Sequence, residues 1–246
     1  MREHLLTSET ISSQFNGPRN SGNGGYTCGL LAHRLMERAK DATVIASTLR
    51  KPPPLDTPLG WREGERSVTL VDESDGVIGV AEPGTFVADP PECPNLETAW
   101  RATNAYEGHR YHPFDTCFTC GTARAEGDGL RVFSGPLGNN QVAAVWTPHE
   151  AFANPDGRLG YEIVWAAMDC PGSWAAHIDK MPMVLGRMTA VVDVFPLAGE
   201  QCIVVGGLVR VEGRKHFTNT ALYSANGALL AHAEQIWVTI DIKDFS

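Results

Sequence analysis

The chain lacks any apolar run near the ~20 residues that a membrane span requires. Its first stretch, Met1 to Gln14, is polar and has no apolar core behind its charges, so no secretory signal is predicted. Both absences make a cytoplasmic setting the expectation, with no membrane partner. Positive charge is also short: 20 Lys and Arg face 29 Asp and Glu, for a net charge of −9. That balance argues against DNA or RNA as a partner held by bulk electrostatics. An anionic small ligand would need a local cationic patch. There is no P-loop, no dinucleotide fingerprint and no GxSxG elbow, so neither a nucleotide site nor a Ser-His-Asp hydrolase is indicated. The six cysteines (Cys28, Cys93, Cys117, Cys120, Cys170, Cys202) are not needed as staples, because 246 residues can bury a sufficient core. In a reducing compartment they are thiols.

What is present is turn-rich and strand-rich. Twenty-five glycines and 16 prolines punctuate the chain. Between them lie short apolar, β-branched runs that predict strands: Thr43–Leu49, Ser67–Val71, Val77–Ala81, Gln141–Trp146, Met188–Phe195, Cys202–Val211 and Gln235–Ile240. Two stretches predict helices. Gly25–Lys40 places Leu30, Leu31, Leu35 and Met36 on one face. Tyr161–Ile178 is helical but interrupted at Pro171-Gly172, so Met168 and Asp169 should close its first half. Residues 90–112 are rich in proline and polar side chains and read as a linker, with a short helix at Asn95–Tyr106.

The chain also repeats itself weakly. Asn23–Ala32 can be laid on Gly160–Asp169, and Asp72–Asp89 on Leu222–Asp241. Asp75-Gly76 and Asn226-Gly227 then coincide as hairpin turns. Each half runs glycine-rich turn, helix, strands, hairpin, which is an α+β unit. Two such units can join their sheets edge to edge and hide strand edges.

Five motifs carry chemistry. Asn20–Tyr26 leads glycines into a helix start, whose unpaired N–H groups suit an oxyanion, or Asn23 simply caps the helix. Asp169 follows an apolar helix and is either desolvated and reactive or a cap at the Pro171 turn. Gln235, if inward-facing with Trp237, needs partners for a buried amide and would suit positioning a water; a solvent-facing glutamine is the commoner case. His109-x-x-His112 with Cys117-x-x-Cys120 has a zinc-like spacing, but no second cysteine pair frames a finger, so a thiol pair in a turn and no metal is the expectation. Gly213-Arg214-Lys215-His216, Arg50-Lys51 and Arg187 are either phosphate-meeting or solvated surface cations.

Taken in order, these residues resemble the double-hotdog acyl-CoA thioesterases of the type II group. Gly24-Gly25-Tyr26-Thr27-Cys28-Gly29 is similar to the GGxxxG that opens the first helix, and Leu49-Arg50-Lys51-Pro52 to a strand exit. Cys117-Phe118-Thr119-Cys120-Gly121 with Gly127-Asp128-Gly129-Leu130 resembles the opening of small single-domain relatives. Trp165–Asp169 looks like the second helix with its catalytic aspartate, and Tyr223–Gln235 like the final hairpin with its glutamine. The resemblance implies two curled antiparallel sheets, each wrapping a long helix and joined into one extended sheet. The halves would be residues 1–89 and 113–246, with 90–112 between them. It further implies hydrolysis of an acyl-CoA to free acid and CoA, with no cofactor. Asp169 would be base or nucleophile, Gln235 would orient water, and Thr189 is the nearest match to the family's threonine. N–H groups at Gly25 and Tyr26 would form the oxyanion hole. Asn23, Gly24, Arg50, Arg187, Arg214 and Lys215 would bind substrate. Ala32 matches Asp169 in the other half, so one composite site per chain is expected. An enoyl-CoA hydratase or dehydratase on the same fold, or a non-catalytic acyl-CoA binding module, are the alternatives. A homodimer is plausible but unforced.

Overall fold

Two helices set the architecture of the computed structural model, which describes residues 8–245. Residues 1–7 of the polar N-terminal stretch, and residue 246, lie outside the described residues. Helix α1 (Gly24–Arg38) starts where the Asn23 carboxamide oxygen accepts the Tyr26 N–H at 2.8 Å. Its apolar stripe of Cys28, Leu31, Ala32 and Leu35 is buried. Helix α3 (Tyr161–Ala175) is buried all round from Ile163 onward, as its almost unbroken apolar sequence requires. The shorter α2 (Leu96–Asn104), capped by Asn95, lies in the predicted linker.

The strands are β1 (Ile45–Leu49), β2 (Gly60–Glu63), β3 (Val68–Val71), β4 (Val77–Pro83), β5 (Gly135–Gly138), β6 (Gln141–Trp146), β7 (Met183–Val192), β8 (Cys202–Glu212), β9 (Lys215–Ser224) and β10 (Leu229–Thr239). They form one sheet in the order β2-β3-β4-β1-β7-β10-β9-β8-β6-β5. The order β1-β4-β3-β2 is repeated as β7-β10-β9-β8, so each half has the same winding after its long helix. The halves meet where β1 pairs antiparallel with β7, Ile45 opposite Ala190 and Thr48 opposite Arg187. The predicted hairpins both occur, between β3 and β4 and between β9 and β10. Strands β2 and β5 were not predicted: they are four-residue pieces containing Gly or Pro. The predicted hairpin reached only the end of β9; its Lys-His-Phe-Thr-Asn-Thr start was not read as strand because it carries polar residues at inward positions such as Thr218 and Thr220. Helix α2 packs Ala99 and Ala102 on Ala143, Val145, Ile203 and Val205 of β6 and β8, on the face of the sheet away from α3. Among the described residues no helix is long and apolar enough to cross a membrane.

Helices α1 and α3 run antiparallel and touch at glycine. A Cβ on Gly25 would lie 2.5 Å from Asp169 Cβ and 2.8 Å from the Trp165 carbonyl oxygen. A Cβ on Gly29 would lie 2.7 Å from Glu162 Cα and 2.9 Å from Trp165 Cβ. These two positions, four residues apart, let the backbones approach where side chains would hold them apart.

Helix α3 is not interrupted at Pro171, contrary to the sequence expectation. Proline removes one N–H donor and crowds the preceding turn. Side chains hold the carbonyls on either side of the affected one. The Gln235 amide donates to the carbonyls of Met168 (2.8 Å) and Asp169 (3.1 Å), Ser173 Oγ donates to Cys170 (2.8 Å), and Thr119 Oγ1 donates to Ala166 (2.8 Å). Gly172 makes room for that amide, since a Cβ there would fall 1.8 Å from Gln235 Oε1.

Two stability outcomes follow from these contacts. Gly29→Ala should cost about 1–3 kcal/mol through overpacking, read from urea unfolding; an unchanged midpoint would mean that the crossing has slack. Gln235→Leu should cost about 1–3 kcal/mol for each buried group left unpaired. An unaltered melting temperature for that variant would show that the amide does not hold the proline turn.

Candidate active site

The N-terminus of α1 supplies unpaired backbone donors, and their partners can be followed one by one. Asn23 takes one of them: its side-chain oxygen accepts the Tyr26 N–H, while its carbonyl accepts the Thr27 N–H at 3.0 Å as the first bond of the helix ladder. The Gly25 N–H is directed at the Asp169 carboxyl. The Gly24 N–H has no partner among the described residues. Gly24 is confined on its other side, where a Cβ would lie 2.7 Å from Leu185 Cβ. The helix end thus presents one free N–H and a partial positive charge.

Asp169 faces this helix end from the other half of the chain. It is 2% exposed. Burial pushes its pKa up to about 8, with the nearby Cys117 sulfur adding to the rise; the Gly25 N–H and the Asn23 amide pull the other way. Its Oδ1 is buried without a hydrogen-bond partner. A carboxyl in such a place is prepared for a ligand rather than for a structural bond.

A cavity of about 230 Å³ joins these groups. Asn23, Gly24 and Asp169 line one end, Leu49, Ile178, Met183, Leu185 and Trp237 give it apolar walls, and Arg50 and Lys51 line it as well. Lys51 is paired with Asp72, while the exposed Arg50 has no ion-pair partner among the described residues. The pseudo-equivalent place, at the N-terminus of α3, is different. There His33 Nδ1 meets Glu162 Oε1 at 2.8 Å, with the Tyr161 ring beside His33, and Ala32 stands where the other crossing has Asp169.

Several predicted site residues lie elsewhere or are otherwise engaged. The Tyr26 N–H belongs to the Asn23 cap, so it is not a free oxyanion donor. Gln235 is inward-facing and buried, but its amide is filled: both N–H groups go to α3 carbonyls, and Oε1 accepts from Thr218 Oγ1 (2.9 Å) and Trp237 Nε1 (3.1 Å). No bond of that amide is left to orient a water. Side chains alternate along a strand. Met188, in register with Gln235 and Ser47, faces the helices, which turns Thr189 and Arg187 to the opposite face of the sheet. Thr189 lies against the backbone at Gly84, and Arg187 donates to Thr48 Oγ1 at 2.9 Å and pairs with Glu82. Arg214 is tied to the Thr239 carbonyl at the β8–β9 turn, next to the exposed Lys215. Neither lines the cavity.

The His/Cys set also assembles differently from its sequence spacing. His109 packs on Tyr106 and Phe133, away from the thiols. His112, Cys117 and Cys120 line the cavity instead with Cys170, which sequence spacing did not bring forward because it lies 50 residues on, in an apolar helix.

No protein-family model and no curated protein sequence matches the chain. Solved structures do. The TesB protein of Mycobacterium avium subsp. paratuberculosis superposes with a TM-score of 0.60 at 13% identity, covering 95% of this chain and 91% of that one. An acyl-CoA thioesterase II, TesB2, of Mycobacterium marinum gives 0.56 at 13%, covering 89% and 91%. A conserved protein of unknown function with hot dog fold from Alicyclobacillus acidocaldarius gives 0.59 at 11%, covering 95% and 92%. Identities this low speak for the fold alone. With two long helices wrapped by one ten-stranded sheet of repeated winding, the chain has the double-hotdog fold.

Proposed function

We propose that the chain is an acyl-CoA thioesterase with one composite site per chain, hydrolysing a thioester to free acid and CoA. The observation that carries this reading is a buried carboxyl, Asp169 from one half, set against the open helix N-terminus at Gly24 from the other, inside one cavity. That the fold is shared with proteins named thioesterase supports the same chemistry.

In this reading the thioester carbonyl oxygen sits at the Gly24 N–H. The helix end stabilises negative charge as the tetrahedral intermediate forms. Asp169 either takes a proton from the attacking water or attacks the carbonyl carbon itself through a carboxylate oxygen. In both variants the C–S bond breaks and the thiolate leaves, taking up a proton; in the second, water then hydrolyses the acyl–Asp169 anhydride, releasing the acid and restoring the carboxylate. The acyl chain lies along Leu49, Ile178, Met183 and Trp237, which limit its length. Arg50, uncompensated beside the cavity, meets the CoA phosphates and supplies the local cation that the acidic chain otherwise lacks. Asn23 acts as a positioning residue: it caps α1 and directs its amide toward Asp169. Gln235 positions Asp169 through α3.

A hydratase would need a second acid or base beside Asp169. His112 shares the cavity, but its Nδ1 accepts the Phe114 N–H (3.0 Å) and its Nε2 bonds to the Cys120 carbonyl (3.1 Å). Neither nitrogen is free for proton transfer, which favours the hydrolase.

Thiol release from acyl-CoAs of graded length tests the reading. Asp169→Asn should lower kcat by about 10²–10⁴-fold with KM little changed; a fully active Asn variant would remove Asp169 from the chemistry. Arg50→Gln should raise KM at low salt with kcat preserved, and the difference should shrink as salt screens the charge. A KM indifferent to that change would take Arg50 out of CoA binding.

A further inference from the structure

Three cysteine sulfurs meet beside the cavity. Cys117, Cys120 and Cys170 are buried free thiols, and their sulfurs all lie within 4.8 Å of one another. Cys117 and Cys170 are 3.6 Å apart. Four ligands placed tetrahedrally around zinc, with Zn–S near 2.3 Å, stand about 3.8 Å from each other. The cluster therefore needs only a small contraction to hold such an ion.

The loop that brings two of these sulfurs has the form such ligation requires. Cys117-Phe118-Thr119-Cys120-Gly121 turns tightly, with the Gly121 N–H on the Cys117 carbonyl at 2.8 Å. A Cβ at Gly121 would lie 2.5 Å from that carbonyl oxygen, so glycine is needed directly after the second cysteine. Donors converge on the cluster. Asn23 Nδ2 reaches the Cys117 sulfur at 3.7 Å, and His112 Nε2 lies 3.3 Å from the Cys120 sulfur. The indole N–H of Trp174 is buried without a hydrogen-bond partner. Thiols buried only as small apolar groups have no use for so many donors, whereas thiolate ligands are stabilised by them.

We propose that Cys117, Cys120 and Cys170 bind one zinc ion, with the fourth coordination position facing the cavity. His112 is not the fourth ligand. Its Nδ1 accepts the Phe114 N–H, so Nε2 carries the proton and serves as a donor to Cys120. The ion would fasten the loop after the linker to α3 directly beside Asp169. Three thiolates and one Zn²⁺ leave a single negative charge, which the surrounding N–H donors offset.

The test is independent of turnover. Full-length protein, purified under reducing conditions without chelators, is analysed for metal and then exchanged with cobalt. About one zinc per chain, and thiolate-to-cobalt charge-transfer absorption after exchange, are expected. Cys120→Ser and Cys170→Ser should each abolish stoichiometric retention, while His112→Gln should keep the ion with affinity weakened by about 10–100-fold. Wild-type protein that is folded and stays metal-free when zinc or cobalt is supplied overturns the proposal. So does isolation of the wild type with a Cys117–Cys170 disulfide, which would make the cluster a redox pair.

Discussion

The close crossing of α1 and α3 is the contact on which the rest of the molecule depends. Gly25 and Gly29 hold no side chain between the two backbones, so the helices sit closer than any larger residue would allow. The depth matters because each helix is wrapped by its own half of the sheet. Helix distance therefore fixes how the halves meet at β1 and β7. It also brings the donor-rich end of α1 to the middle of α3, where Asp169 stands. A methyl group at position 25 would separate the carboxyl from the N–H that faces it.

The same crossing explains why two similar halves make one site. The helices are antiparallel, so each N-terminus faces the middle of the other helix. At the first crossing the partners are a bare glycine turn and Asp169. At the second they are Ala32 and a Glu162 side chain engaged with His33. The first place leaves a carboxyl oxygen unpartnered and a backbone donor free; the second satisfies its charges internally. Burying a carboxyl is unfavourable unless something repays it. That loss is accepted at one crossing and avoided at the other, and this asymmetry is the ground for proposing chemistry at the first.

Much of this was legible in the sequence, for identifiable reasons. Helix α1, its Asn23 cap, both hairpin turns and the internal repeat rest on local signals: glycine pairs, apolar spacing and turn dipeptides. Asp169 stood out because a carboxylate seldom follows so apolar a helix. What was not legible depended on contacts distant in sequence. Pro171 should have broken α3, and the side chains that brace its turn include Gln235, 64 residues on, and Thr119 from a distant loop. The facing of Thr189 and Arg187 depended on the β7 register, which starts five residues earlier than the predicted strand. Cys170 joined the pair at 117 and 120 only through the packing of α3 against the loop, while His109 kept the right spacing but turned to Tyr106 and Phe133.

The grip on α3 ties these separate findings together. A helix carrying a proline two residues after Asp169 would be free to bend next to the carboxyl proposed for the chemistry. Here it is held from two sides. Gln235, fixed in turn by Thr218 and Trp237, takes the Met168 and Asp169 carbonyls from the sheet. Thr119 takes the Ala166 carbonyl from the loop, whose flanking sulfurs meet Cys170. The two holds bracket Asp169 along the helix, so its carboxyl cannot swing away from Gly25 without breaking buried hydrogen bonds on one side or the other. The side-chain donors thus gather on the turn just before Pro171, where a proline-bearing helix is most prone to bend.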